Sequence, residues 1–292
     1  MTGTHSISRL LAVINGAPES RAVARMAVAL GQQSPCLIDG LHVMSDDALF
    51  GWPQGMMFSG PMPAPVAEEL HKQQKDRRDA ANAIFSEETA NLPRLENGAL
   101  PDKTHTSVRW KEVRGREWYE VAHQGRSHDL ILVAQPKEPR GISETDALEA
   151  ALFDSGRPVL VVPDNETNTP GRSIALAWTD SRESSRSIWA ALPFLEKAER
   201  VSLIVVDSGE DEAEGLEQIN EYLLHKDIDV EIIRQPDNGA PIGDQILSCA
   251  EDVNADMLIM GAYGHSRLRE MVLGGATRDV LRSTQMPVLM AH

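Results

Sequence analysis

Cysteine, basic residues and long apolar runs are all scarce in this chain, and each shortage excludes a class of protein. Only Cys36 and Cys249 occur in 292 residues, so neither a disulfide framework nor a cysteine-rich metal site organises the fold, and both read as buried thiols. Lys and Arg number 28 against 44 Asp and Glu, a formal charge of −16. That balance argues against a broad nucleic-acid or anionic-membrane surface, because such partners select clustered basic side chains. Any anionic ligand has to be gripped locally, mainly by backbone N–H groups. No apolar run approaches the roughly 20 residues of a membrane-spanning helix. The first twenty or so residues carry neither a basic leader nor a small-residue cleavage site, so a cytoplasmic protein is expected. The hydrophobic share of 41% is ample for a packed core, and the length favours two medium domains over one large one.

What is present is written twice. Asp129-Leu-Ile-Leu-Val-Ala134 corresponds to Asp256-Met-Leu-Ile-Met-Gly261, and Arg157-Pro-Val-Leu-Val-Val162 to Met286-Pro-Val-Leu-Met-Ala291. Upstream, Leu10 to Ile14 followed by Asn15 to Glu19 parallels Ile174 to Trp178 followed by Thr179 to Glu183. Residues 163–171, polar and bracketed by Pro163 and Pro170, read as a linker. The domains are therefore expected at 1–163 and 172–292.

Within each half, strand-length apolar runs alternate with stretches of helical period, the pattern of a parallel sheet covered on both faces. Strands are expected at 10–14, 37–43, 106–113, 130–134 and 158–162, then at 173–178, 200–206, 230–234, 257–261 and 287–291. Ser181 should cap a helix that buries Ile188, Ala191, Leu192 and Leu195, and Pro241 should open another that buries Ile246, Leu247 and Ala250. The acidic run 209–214 reads as a charged helix start. Residues 50–65 form a Gly-, Pro- and Met-rich insertion, read as an interaction loop ahead of a ligand lid. A long charged helix over 66–91 follows, with Leu70, Ala80, Ala81, Ile84 and Phe85 as its buried positions.

The chemistry concentrates in residues 256–292. Gly261 ends an apolar run, Gly264 follows, and Gly274-Gly275 opens a helical stretch. Glycines at the C-terminal end of a strand let the backbone approach a ligand, and the free N–H groups of the next helix favour an anion. The spacing is longer than the G-x-G-x-x-G dinucleotide turn. These residues resemble a tandem universal stress protein over essentially the whole chain, the second half more closely. The resemblance implies an α/β fold of two tandem doubly wound domains, each a five-stranded, mainly parallel sheet of order 3-2-1-4-5 flanked by helices. It also implies that an adenine nucleotide, ATP or AMP, with Mg²⁺ accompanying ATP, binds in the second repeat. Gly261, Gly264 and Gly274 stand in register with the family's phosphate loop. Gly275 replaces its usual Ser or Thr but keeps an N–H, Ala276 lies between, and Thr277 matches a later hydroxyl. Asp180, or Thr179 one residue earlier, stands where the family receives the adenosine, and Val205-Val206 would present backbone groups to adenine. The resemblance further implies that the last strands of the two repeats pair within the chain.

In the first half the counterpart loop, from Gln135 and Pro136 to Gly141, lacks the glycine pair, and Asn15 stands at the acidic position. That repeat reads as a structural partner without nucleotide. His265 and Ser266 read as loop groups, Arg267, Arg269 and Arg278 as solvated or ion-paired. His123 and His128 form no metal spacing, and no catalytic or metal-ligating residues are assigned. A slow ATP-hydrolysing enzyme and a nucleotide-independent interaction or dimerisation module, with an unknown protein partner or a further copy of the chain and no cofactor, are the competing readings.

Overall fold

The computed structural model describes residues 6–45, 64–136, 142–164, 169–207, 213–262 and 275–292. The 50–65 insertion before Ala64 and most of the acidic 209–214 run lie outside them. The first half runs β1 (Arg9–Val13), α1 (Ser20–Gln33), β2 (Leu37–Ser45), α2 (Ala64–Glu88), β3 (Ser107–Gly115), α3 (Glu117–Gly125), β4 (Leu130–Ala134), α4 (Ile142–Asp154) and β5 (Val159–Val162). The second runs β6 (Ser173–Ala177), α5 (Arg182–Leu195), β7 (Arg200–Asp207), α6 (Ala213–Leu224), β8 (Glu231–Pro236), α7 (Ile242–Asp252), β9 (Met257–Gly261), α8 (Gly275–Ser283) and β10 (Val288–Ala291). The strands form one ten-stranded sheet of order β3-β2-β1-β4-β5-β10-β9-β6-β7-β8. Numbered within itself, each half has the order 3-2-1-4-5.

The central strands are apolar on both faces because helices cover both. Along β1, Leu10 and Ala12 enter the core on one side of the sheet, Leu11 and Val13 the core on the other. In α5 the Ser181 hydroxyl accepts the Ser184 N–H at 3.2 Å. Ile188, Ala191, Leu192 and Leu195 are buried as their spacing requires. In α2 Ala81, Ile84 and Phe85 are buried, whereas Leu70 and Ala80 are only partly so. The N-terminal turns of α2 are mostly exposed. Cys36 and Cys249 are buried free thiols, and burial, which outweighs the Thr106 hydrogen bond, pushes the Cys36 thiol up to about 11.

The repeated aspartates fasten each half in the same way. Asp129 Oδ2 accepts the backbone N–H of Ser8 at 2.8 Å and of Arg9 at 3.0 Å. Asp256 accepts those of Gly171 at 2.7 Å and Arg172 at 3.0 Å. Each carboxylate thus ties the start of its half's fourth strand to the start of the first.

A buried carboxylate organises the first half further. Asp39, fully buried on β2, takes Arg9 Nη2 at 2.7 Å, Arg109 Nε at 2.8 Å and His128 Nε2 at 2.8 Å, with Lys111 Nζ at 3.4 Å. Burial alone would raise its pKa, but the His128, Arg109 and Arg9 hydrogen bonds and the Lys111 charge outweigh it and hold the carboxyl well below the carboxylate range. A carboxyl whose folded pKa is depressed contributes stability above its unfolded pKa of about 4, lost as pH falls below that value.

The two halves meet where β5 and β10 pair antiparallel, Val161 opposite Val288, Leu160 opposite Leu289 and Val159 opposite Met290. All six are fully buried. Two tests follow. Asp39→Asn should destabilise the protein at pH 7 by about 3–5 kcal/mol, since it strands buried cations. Its deficit relative to the parent should shrink below pH 4, and urea midpoints at pH 7 and pH 3 that show an unchanged deficit would contradict this. Leu289→Ala should cost about 2–5 kcal/mol for a cavity in the joint, measured by urea unfolding at pH 7.

Candidate functional site

In a doubly wound sheet the crevice for a ligand opens beyond the C-terminal ends of the strands where the winding reverses. In the second half that point lies between β6 and β9, which pair in parallel with Ala177 opposite Met260. The chain leaves β6 through Trp178 and Thr179 and turns at once into α5. Thr179 Oγ1 lies 3.1 Å from Ser184 Oγ and 3.2 Å from Ser181 Oγ, so the loop is fastened to the first turn of α5. That turn presses on the end of β9. A Cβ at Gly261 would fall 2.6 Å from Ser184 N and 2.8 Å from Glu183 C, both backbone atoms that cannot yield. Gly261 is therefore required by close packing, and the packing brings the α5 N-terminus against the end of β9.

Glu183 was not evident from the sequence, where it reads as one more acidic residue in a helix start. It is 2% exposed and accepts Arg182 Nε at 2.6 Å. Burial opposes its charge, but Arg182, its own backbone N–H and His292 hold its pKa below the usual value. His292 Nδ1 in turn lies 3.0 Å from Ala262 O. The indole Nε1 of Trp178, buried at the end of β6, has no hydrogen-bond partner among the described residues. A buried donor left in this way costs about 1–3 kcal/mol unless a ligand or water supplies an acceptor.

Val206, near the end of β7, is partly buried. Asp180 is exposed but lies against α6, where a Cβ at Gly215 would stand 2.8 Å from its Cγ. At the start of α8, Gly275 is exposed and Ala276 half-buried, whereas Thr277 is 3% exposed with its side chain in the protein. A Cβ at Gly275 would meet only Asp279 Oδ2, at 4.0 Å. Arg278 Nε approaches Asp279 Oδ1 at 3.8 Å. Gly264 and Gly274, with His265, Ser266, Arg267 and Arg269, lie outside the described residues.

The first half repeats the turn that follows β6. Asn15 binds Ser20, its Oδ1 accepting the Ser20 hydroxyl at 2.7 Å and its N–H reaching Ser20 Oγ at 3.1 Å, as Thr179 binds Ser184. Asn15 thus matches Thr179, and the counterpart of Asp180 is Gly16. That glycine has φ +86°, and a Cβ on it would lie 2.3 Å from Arg77 O of α2. The helix after the second strand crowds this loop in both halves, and one of the two contacting residues is glycine each time: Gly16 in the loop, Gly215 in the helix.

The first half also retains a cleft at its own winding reversal, lined by Asn15, Glu19, Ser20, Glu117, Ala134 and Gln135. Ala134 stands where the second half has Gly261. Since a Cβ there is incompatible with the α5 contact, α1 must stand farther from β4, which leaves this gap. Its two carboxylates disfavour a phosphate. Gln135 crosses to the other half, its Nε2 donating to Leu281 O at 2.8 Å and Thr284 O at 3.2 Å, which satisfies carbonyls at the C-terminus of α8.

Residues 191–292 match the universal stress protein family. A curated universal stress protein of Synechocystis is 52% identical over 44 residues, 15% of each chain. Another, from Methanocaldococcus jannaschii, is 38% identical over 47 residues, 16% of this chain and 29% of that protein. These local matches span well under a third of the relatives' length. Over nearly the whole chain the fold resembles a crystal structure of a universal stress protein from Archaeoglobus fulgidus, with a TM-score of 0.70 at 16% identity, covering 97% of this chain and 95% of that one. A putative universal stress protein from Pseudomonas aeruginosa aligns with a TM-score of 0.55 at 15% identity, covering 99% and 94%.

The contrast between the two glycines is testable. Gly261→Ala should destabilise by about 1–3 kcal/mol through overpacking, while Gly275→Ala, which enters open space in a helix, should be neutral or stabilise by up to about 1 kcal/mol. Equal urea midpoints for the two variants would refute the packing argument.

Proposed function

We propose that this chain, a member of the universal stress protein family through its residues 191–292, is a stress-response protein that binds an adenine nucleotide in its second half. The observation that carries the reading is the winding reversal between β6 and β9, where Gly261 ends β9 and the exposed Gly275 opens α8, a helix start whose first N–H groups have no partner within the helix and suit phosphate oxygens. In the family's nucleotide-binding members the same glycine pattern holds phosphates. Thr179, Asp180 and the backbone at Val206 would border the nucleoside, and the unpartnered Trp178 N–H fits an acceptor there. The buried Glu183 carboxylate opposes a nearby phosphate, and Arg182 compensates its charge.

The division of labour follows the same residues. Domains at 1–163 and 172–292 each supply half of the sheet, and only the second keeps the phosphate loop. The first half supports it, through the β5 to β10 joint and through Gln135 at the far end of α8. The sequence offers no nucleophile-and-base spacing around the loop, and binding rather than turnover is the proposed activity.

Thermal melting with millimolar ATP and Mg²⁺ tests the reading. The parent should be stabilised, and Gly275→Ser, which restores a hydroxyl where the structure has room for it, should bind about fivefold tighter, the value of one net hydrogen bond of about 1 kcal/mol. A parent and a Gly275→Ser variant that both melt unchanged with nucleotide would point instead to a nucleotide-independent interaction module.

A further inference from the structure

The charge around Asp39 does not balance. Arg9, Arg109 and Lys111 bring three positive charges to this one carboxylate, an excess of two within a chain whose net charge is −16. His128 brings no negative charge to offset them: its Nδ1 lies 2.8 Å from Gln124 O and its Nε2 donates to Asp39 Oδ2 at 2.8 Å. Asp39 Oδ2 is already crowded by Arg9 Nε and Nη2, Arg109 Nη2 and His128 Nε2. That leaves Arg109 Nη1 and most of the Lys111 protons with no partner among the described residues.

The cations are not sealed. The Arg9 side chain is 29% exposed and that of Lys111 19%, while Asp39 is fully buried beneath them. Burial lowers the Lys111 pKa, Asp39 pulls it up, and the charges of Arg9 and Arg109 push it down again, leaving it below its usual value. A half-buried ammonium under that repulsion gains from an anion more than a solvated one does.

We propose that Arg9, Arg109 and Lys111 form a binding site for a tetrahedral oxyanion of the phosphate class, as the free ion or as the phosphate of a monoester. A phosphate dianion would cancel the excess of two charges, and its oxygens could accept from Arg109 Nη1 and the Lys111 ammonium, while Arg9, whose Nη1 already donates to Ser127 O at 3.3 Å, contributes charge. The site lies near the N-terminal ends of β1 to β3, away from the strand ends that border the nucleotide crevice, and it does not depend on that crevice being occupied.

The experiment compares melting of the full chain in millimolar inorganic phosphate, in glycerol 3-phosphate and in chloride at matched ionic strength and pH. Phosphate should raise the parent's melting temperature by about 2–4 °C over chloride. Lys111→Met should abolish that shift and melt in chloride at or above the parent, since one uncompensated cation is gone. Arg9→Met, the more exposed position, serves as the second variant and should likewise lose the shift. The same rise with glycerol 3-phosphate identifies a site open to monoesters, and a rise with phosphate alone identifies one for the free ion. Identical melting of the parent in phosphate and chloride, or a full shift retained in Lys111→Met, overturns the proposal.

Discussion

The pairing of β5 with β10 is the contact on which the rest of the molecule depends. Each half is an open five-stranded sheet, and an open sheet presents unpaired backbone groups at its edges. Joining the two last strands antiparallel satisfies both edges at once, and the six apolar residues of the joint are buried to completion. Other contacts follow from that register. Gln135 reaches the C-terminal carbonyls of α8, and the His292 ring meets Phe153 of α4 with centroids 4.7 Å apart. The first half thereby holds in place the C-terminal end of α8, the helix whose other end faces the proposed phosphates.

Close approach, more than ligand contact, explains where several glycines lie. Gly261 yields to the backbone of α5, Gly16 to the backbone of α2, and Gly215 to the side chain of Asp180. The same crowding between a loop and the following helix is relieved on opposite partners in the two halves. This is why the loop residue is free to be an aspartate in the second half but not in the first. By contrast Gly275 meets no such demand, so its lack of a side chain is not imposed by packing. The two kinds of glycine look alike in the sequence and differ only in what surrounds them.

Most of the architecture was legible because it rests on local pattern. Apolar runs placed the strands to within a residue or two, and the family resemblance implied the strand order and the joining edge. Ser181 announced its helix by chemistry alone. What escaped was whatever depends on register between distant segments. Asp39, Arg9, Arg109 and His128 are scattered through the first half, and only the alignment of β1, β2 and β3, with Leu11 and Arg109 on either side of Asp39, brings them together. The hydrogen bond that joins each of Asn15 and Thr179 to a serine five residues on is likewise a three-dimensional fact. Glu183 carried no signal beyond an acidic helix start, although it is buried against Gly261 at the end of β9.

These features bear on how the two halves diverged in use. A sheet whose joint is wholly apolar places no chemical demand on the crevices at its strand ends, so each crevice can change without disturbing the fold. In the first half, exchange of the strand-terminal glycine for Ala134 opens a gap that Glu19 and Glu117 line, which suits neither phosphate nor the tight turn of α1 against β4. In the second, Gly261 keeps the helix close but brings Glu183 with it, and that buried carboxylate is paired by Arg182 at 2.6 Å. On the proposed reading, the charge balance of that pair, as much as the glycine spacing, would set how strongly the second crevice attracts an anion.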